Sequence, residues 1–363
     1  MEEIQVDNKC YSKIVKTFFD RVPKLEFPYI EILTTPTGIL QHAKFNIPNY
    51  HHGYCLDDNC RALLLFCKAY HQLEPSYRNK YISNFLGFIH YAQKEDGIFR
   101  NFMSFDLQFI EHIGSDDSFG RTIWALGFLL SKKEIANYHP IAKELFDRSY
   151  PHMADCKSAR AVGYQILGLL HYLEKYPEDM KIRKQLEGSC QFLIDEYKAA
   201  ENEDWHWFEE VISYDNAILP MSILRASRYF GNKEMEKIGL ASSAFLDQVI
   251  FRKGYFSSIG NINWLKKEGI CSDFGQQPIE VSSTIMLYEE LQHHAITINY
   301  KERILETFSW FLGNNIKGEV LFDFQNMACY DGLEEYGVNK NQGAESNLAF
   351  WLSYLDTANY IHS

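Results

Sequence analysis

No segment of this 363-residue chain reaches the roughly 18 uninterrupted apolar residues that a membrane-spanning helix needs. Basic residues are in deficit: 36 Lys and Arg face 48 Asp and Glu, a net charge of -12. Nucleic acid and anionic membrane both demand a basic footprint, so neither is an expected partner. The eight cysteines (Cys10, Cys55, Cys60, Cys67, Cys156, Cys190, Cys271 and Cys329) are scattered, with no C-x-x-C pair. That spacing argues against zinc and for reduced thiols, and no metal or cofactor is expected. The opening Met1-Glu-Glu-Ile-Gln-Val-Asp7 has no basic start followed by an apolar run, so the expectation is a cytoplasmic protein without a secretory signal.

Apolar material, in contrast, is plentiful. Hydrophobic residues make up 46% and aromatics 15%, with 23 Tyr, 26 Phe and 6 Trp. Core packing accounts for most of these rings, although aromatic faces also suit sugar rings. The chain is organised around Ser115-Asp-Asp-Ser-Phe-Gly-Arg121 and the apolar run that follows to Leu130. Serine and acids at that point can accept hydrogen bonds from the first free N–H groups of a helix. A helix apolar on nearly every face belongs inside the protein.

Variants of this pattern recur. Nearly all-apolar helices are predicted over 62–73, 115–130, 158–173, 214–229, 278–291 and 343–360. Amphipathic ones are predicted over 12–21, 76–93, 140–150, 181–197, 234–250 and 300–312, with stripes such as Tyr77, Tyr81, Phe85, Phe88 and Ala92. Six buried helices alternating with six one-sided ones, at a repeat of roughly 40 to 65 residues, call for two concentric layers. The expected fold is all-α: an (α/α)6 toroid of six helical hairpins, forming one domain over residues 1–363. An open superhelix fits less well, because its repeats are shorter and more uniform. Short hairpins are expected in the loops near 254–257 and 320–324.

The links entering the buried helices are long (96–116, 200–213, 251–277 and 313–342), and those leaving them are short. Long loops in compact folds are usually functional. One end of the barrel should therefore gather the polar clusters: Asp57 and Asp58; Asp116, Asp117 and Arg121; Lys157 and Arg160; Glu209, Glu210, Tyr214, Asp215 and Asn216; Gln276, Gln277 and Glu280; Gln342 and Glu345. Loop rings Phe99, Phe102, Phe105, Trp205, Trp207, Tyr255, Trp264, Phe322, Phe324 and Tyr330, with His51 and His52 nearby, would wall an acidic cup. Asp57, Asp117 and Asp215 have an equally simple reading as N-caps. Glu280 and Glu345 lie a turn inside apolar helices, where an unpaired charge is costly.

Ser115-Asp-Asp-Ser-Phe-Gly-Arg-Thr-Ile-Trp-Ala-Leu126, Trp207-Phe-Glu-Glu210 with Ser213-Tyr-Asp-Asn-Ala-Ile-Leu-Pro220, Gly275-Gln-Gln-Pro-Ile-Glu280 and Asn341-Gln-Gly-Ala-Glu-Ser346 resemble blocks of bacterial proteins of the six-hairpin glycosidase superfamily. The resemblance spans residues 58–355. It implies the (α/α)6 fold and a carbohydrate setting, with related proteins described as glycosidase-like or glycosyltransferase-associated. The zinc ligands of lanthionine cyclases and prenyltransferases are missing, as is a clear histidine pattern of the acylglucosamine epimerase type.

The expected activity is inverting hydrolysis of an oligosaccharide or glycoconjugate by a carboxylate pair. Asp117 and Glu345 are the expected pair, with Asp58, Asp215 and Glu280 as alternates. A helix N-terminus favours the charged form of Asp117 as base, and apolar surroundings would raise the pKa of Glu345 as acid. His52, Arg121, Glu210, Tyr214, Asn216, Gln277 and Gln342 are expected to bind substrate, and Trp207 and Trp264 to stack on it. Two other readings are a non-catalytic carbohydrate-binding protein working beside a glycosyltransferase, and a scaffold whose cup is filled by its own loops.

Overall fold

The computed structural model describes residues 10–294 and 299–361. Among these residues the helices are α1 (Cys10–Arg21), α2 (Pro28–Leu33), α3 (Leu56–Lys68), α4 (Pro75–Ala92), α5 (Asp116–Ser131), α6 (His139–Ser149), α7 (Ala159–Lys175), α8 (Met180–Ala200), α9 (Ile218–Phe230), α10 (Lys233–Ile250), α11 (Pro278–Leu291), α12 (Tyr300–Phe308) and α13 (Ala344–Ala358). None of them is long and apolar enough to cross a membrane.

The alternation in the sequence becomes two layers. Helices α3, α5, α7, α9, α11 and α13 are buried on almost every face. Each packs on the next, and α13 returns to α3, so the inner ring closes. Each of α4, α6, α8, α10 and α12 packs its apolar stripe on the inner helix of its own hairpin. The sixth outer place is taken by α1, from the other end of the chain. Its Phe18 and Phe19 stack among Phe308 of α12 and Phe350 and Tyr354 of α13. The expected all-α toroid is the observed fold.

Two ion pairs staple the seam between α3 and α13. Arg61 Nη2 meets Glu345 Oε2 at 2.7 Å, and at the other end Lys68 pairs with the buried Asp356. Between α5 and α7 the backbones nearly touch. A Cβ at Gly120 would run into the Ala161 carbonyl, and one at Gly127 into that of Gly168. Only glycine permits that approach.

Among the described residues the loops carry five two-stranded antiparallel ribbons: β1 (Ala43–Lys44) with β2 (Ile47–Pro48), β3 (Tyr54–Cys55) with β4 (Phe102–Met103), β5 (Val211–Ile212) with β6 (Leu265–Lys266), β7 (Phe322–Asp323) with β8 (Ala328–Cys329), and β9 (Gly332–Glu334) with β10 (Gly337–Asn339). The hairpin expected near 320–324 is β7–β8. No strand forms at 254–257; its loop instead contributes β6, which pairs with the preceding loop. Another difference matters for the site. The helix expected over 62–73 starts at Leu56, because Cys55 caps it. Its Sγ accepts from Asp58 N (3.4 Å) and its thiol donates to Asp58 Oδ2 (3.0 Å), a reciprocal arrangement of the capping-box kind.

Gly127→Ala should lower thermal stability, by about 1–3 kcal/mol for an overpacked core position. Gly188→Ala on α8, where a Cβ meets nothing within 4 Å, is the matched control and should be neutral or slightly stabilising. Equal melting temperatures for Gly127→Ala and the wild type would show that the two helices can separate freely.

Candidate active site

All six inner helices point their N-termini to the end where the long loops enter. The acids expected as N-caps there are not spent on capping. Ser115 Oγ accepts from Ser118 N at 3.1 Å and Ser158 Oγ from Ala161 N at 3.4 Å, while Cys55 caps α3. Asp57, Asp58 and Asp117 thus sit inside their helices' first turns. They line one cavity of about 560 Å³ together with Arg61, Arg121, Tyr214, Gln277, Asp331, Glu334 and Glu345. Six carboxylates against two guanidinium groups make it acidic.

Two charge ladders form its floor. In the first, Arg61 Nη1 meets Asp58 Oδ1 at 2.8 Å and Nη2 meets Glu345. Burial pushes the Asp58 carboxyl up to about 6, against the pull of Arg61. In the second, Arg121 Nε donates to Asp57 Oδ1 (3.1 Å) and Nη2 reaches Asp215 Oδ2 (3.4 Å). Tyr164 also donates its hydroxyl to Asp215. Asn101 fixes the entry to α3: its Oδ1 accepts from Leu56 N at 2.9 Å and its Nδ2 donates to Asp57 Oδ2 at 3.1 Å.

Asp117 accepts from Ser158 Oγ at 2.5 Å, and burial raises its pKa from the ordinary value. Asp331, on the β8–β9 connection, is likewise raised by burial and accepts from Gly343 N at 2.6 Å. Behind this group the Glu280 carboxyl accepts from the Asp215 and Asn216 backbone N–H groups and from Asn216 Nδ2 (3.0 Å). Burial, with Asp215 beside it, pushes Glu280 up to about 8. Among the described residues no group of three or more His, Cys, Asp or Glu is arranged to hold a metal ion.

Of the residues singled out from sequence, Asp58, Asp117, Arg121, Tyr214, Gln277 and Glu345 line the cavity. Asp215, Asn216 and Glu280 lie buried behind it as supports. His52 stands at the rim, edge-on to the lining residue His42 at 4.7 Å. Four residues expected to meet substrate do not line the cavity. Trp207 is 0% exposed and packs edge-to-face on Phe208, so it offers no ring to a substrate. Trp264 is outside the lining. Glu210 pairs with Lys267 on the surface. Gln342 is buried and donates to Asp323 at 2.9 Å. Nor is Glu345 in apolar surroundings, since its side chain is 37% exposed and paired with Arg61. The wall is far less aromatic than expected: Phe102 and Tyr214 line it, whereas Phe99, Trp205 and Phe322 are core residues. Sequence reasoning passed over Arg61, Asn101, Asp331 and His42. For Arg61 a signal existed, three residues after Asp58 on one helix face.

No protein-family model and no curated protein sequence matches the chain. Solved structures do. A sugar epimerase from a ruminal bacterium aligns with a TM-score of 0.72 at 12% identity, covering 97% of this chain and 99% of that one. Cellobiose 2-epimerase from Bacillus thermoamylovorans gives 0.71 at 9%, over 94% and 99%. A GH76 α-1,6-mannanase of Salegentibacter sp., inactivated by replacing two consecutive aspartates and bound to α-1,6-mannotriose, gives 0.60 at 11%, over 98% and 100%. The chain thus shares the (α/α)6 toroid fold of these structures. Such low identity establishes the fold alone.

The raised pKa of Glu280 carries a sign that can be tested. Its carboxyl titrates near 8 when folded, against an ordinary 4.5. Between those values the folded chain binds more protons than the unfolded chain, so this group makes stability fall as pH rises through that window. Urea midpoints measured from about pH 5 to 8 should therefore drop less steeply for Glu280→Gln than for the wild type. Identical slopes would mean that Glu280 is ionised in the folded chain.

Proposed function

We propose that the protein is a carbohydrate-active enzyme that hydrolyses a glycosidic bond of an oligosaccharide or glycoconjugate with inversion. The observation that carries this reading is the meeting of carboxylates from the first, second and sixth inner helices around one cavity. Its volume falls in the range of small-molecule sites.

Asp117 is the better general acid. Burial raises its pKa, Ser158 donates to one carboxylate oxygen, and the other is left to protonate a leaving glycosidic oxygen. Glu345 is the better base: Arg61 orients one oxygen and leaves the other to accept a proton from water. This exchanges the roles expected from sequence, because desolvation outweighs the helix N-terminus at Asp117. The two stand on α5 and α13, on either side of α3, and inversion requires their carboxyls to be about 6.5–9.5 Å apart, with room for water between them. Asp57 and Asp58, held by the two arginines, would bind hydroxyls.

A second reading is epimerisation or isomerisation of a free sugar, favoured by a neutral imidazole at the rim. Desolvation and the neighbouring His42 and His51 hold His52 below its ordinary pKa, as a base for a C–H proton would require.

The test is turnover of an oligosaccharide panel that includes α-1,6-mannotriose and cellobiose, followed by NMR in D2O. Hydrolysis with an inverted first-formed anomer is expected, and Asp117→Asn and Glu345→Gln should each lose about 10²–10⁴-fold in kcat. Full turnover by either variant removes that residue from the mechanism. Deuterium incorporated at C2 without cleavage supports the second reading. Binding with no turnover supports an accessory role beside a glycosyltransferase.

A further inference from the structure

Two loops, 42–53 and 103–114, adjoin the cavity wall at His42, Cys55 and Phe102. Three rings lie nearly parallel there. Tyr54 is the deepest, buried, with its hydroxyl hydrogen-bonded to Thr35 at 3.0 Å. Phe105 lies over it, the planes 13° apart and the centroids 6.4 Å apart. Tyr50 covers Phe105 at 4.5 Å and 26°. The outer two rings stay in water: Tyr50 is 54% exposed and Phe105 46%.

The stack is held by backbone on both sides. Gln41 N donates to the Gly53 carbonyl at 2.9 Å and Asn49 N to that of His42 at 2.8 Å, while Tyr54 pairs in register with Met103. The same short segments supply His42, Cys55 and Phe102 to the cavity wall. The rim therefore adjoins the cavity wall, and its His52 meets the lining residue His42 edge-on.

Exposed rings forgo roughly 25 cal/mol for every Å² that could have been buried, and a grouped apolar surface of this kind marks an interaction site. A ring fixed from below by two others has already lost its rotamer freedom, so a ligand docking on it meets little further entropy cost. The negative face of an aromatic ring attracts the weakly positive C–H groups on one face of a pyranose. The sugar's hydroxyls would then point away from the ring. We infer that Tyr50, backed by Phe105, is a second saccharide platform, holding a sugar ring of the same chain whose reacting linkage lies in the cavity. The substrate is then an oligosaccharide that extends beyond a disaccharide. This rests on the reading of the cavity as a carbohydrate site.

Calorimetric titration of the wild type and Tyr50→Ala with α-1,6-manno-oligosaccharides and β-1,4-gluco-oligosaccharides, from two to six units, tests the inference. Wild-type affinity should rise with length in one series. Tyr50→Ala should lose about threefold to tenfold for the longer chains, which is what a ring-stacking contact supplies, and Tyr50→Phe should keep the gain. A wild type that binds no member of either series overturns both the cavity reading and the platform. Binding that ignores length, or an unchanged length dependence in Tyr50→Ala, overturns the platform alone. Phe45, Ile47 and Leu107 are also exposed on these loops. A Tyr50→Ala substitution that changes the mass by light scattering and leaves the length dependence intact would assign the rim to self-association and overturn the inference.

Discussion

The structure depends on the seam where the first inner helix meets the last. Helices α3 and α13 come from opposite ends of the chain, and their contact turns a row of hairpins into a ring. The seam is closed by charge at both ends, Arg61 with Glu345 and Lys68 with Asp356, and by apolar packing around Phe27, Phe66 and Trp351. Buried ion pairs add little stability by themselves, but a lost partner leaves a charge stranded. These two pairs therefore favour one register of closure over others. The pair at the loop end also belongs to the cavity, so shutting the ring and assembling the site are a single event.

Burial then sorts the acids. Asp58, Asp117, Asp331 and Glu280 are all shifted upward by desolvation. Two arginines, Arg61 and Arg121, spread their positive charge over Asp57, Asp58, Asp215 and Glu345. Burial and the two arginines thus push the carboxyls of one cup in opposite directions. Helix N-termini favour the ionised form, yet at Asp117 they lose to desolvation.

Much of the toroid was legible from the residues. The stripe Tyr77, Tyr81, Phe85, Phe88, Ala92 became the inward face of α4, apart from the partly exposed Tyr77. The long links all arrived at one end. The helix start at Leu56 was not legible, because a cysteine is an unusual cap and its action depends on Asp58 folding back. The aromatic loops misled for a related reason. Trp205 packs on Phe245 and Trp207 on Phe208, since a loop long enough to reach the cavity can also fold onto an outer helix, where a large ring loses more contact with water. Asp331 and His42 lie in irregular segments with no periodicity to reveal their direction.

Local pattern was sufficient to establish the helices, their two burial classes and the end of the barrel that carries the polar residues, because each follows from neighbours within a turn or two along the chain. Which acids share a cavity, which arginine each one meets and which rings remain in water depended on ring closure. Those contacts join residues as far apart as Arg61 and Glu345. Their protonation reflects how much solvent the folded walls exclude, a property that no stretch of sequence holds alone.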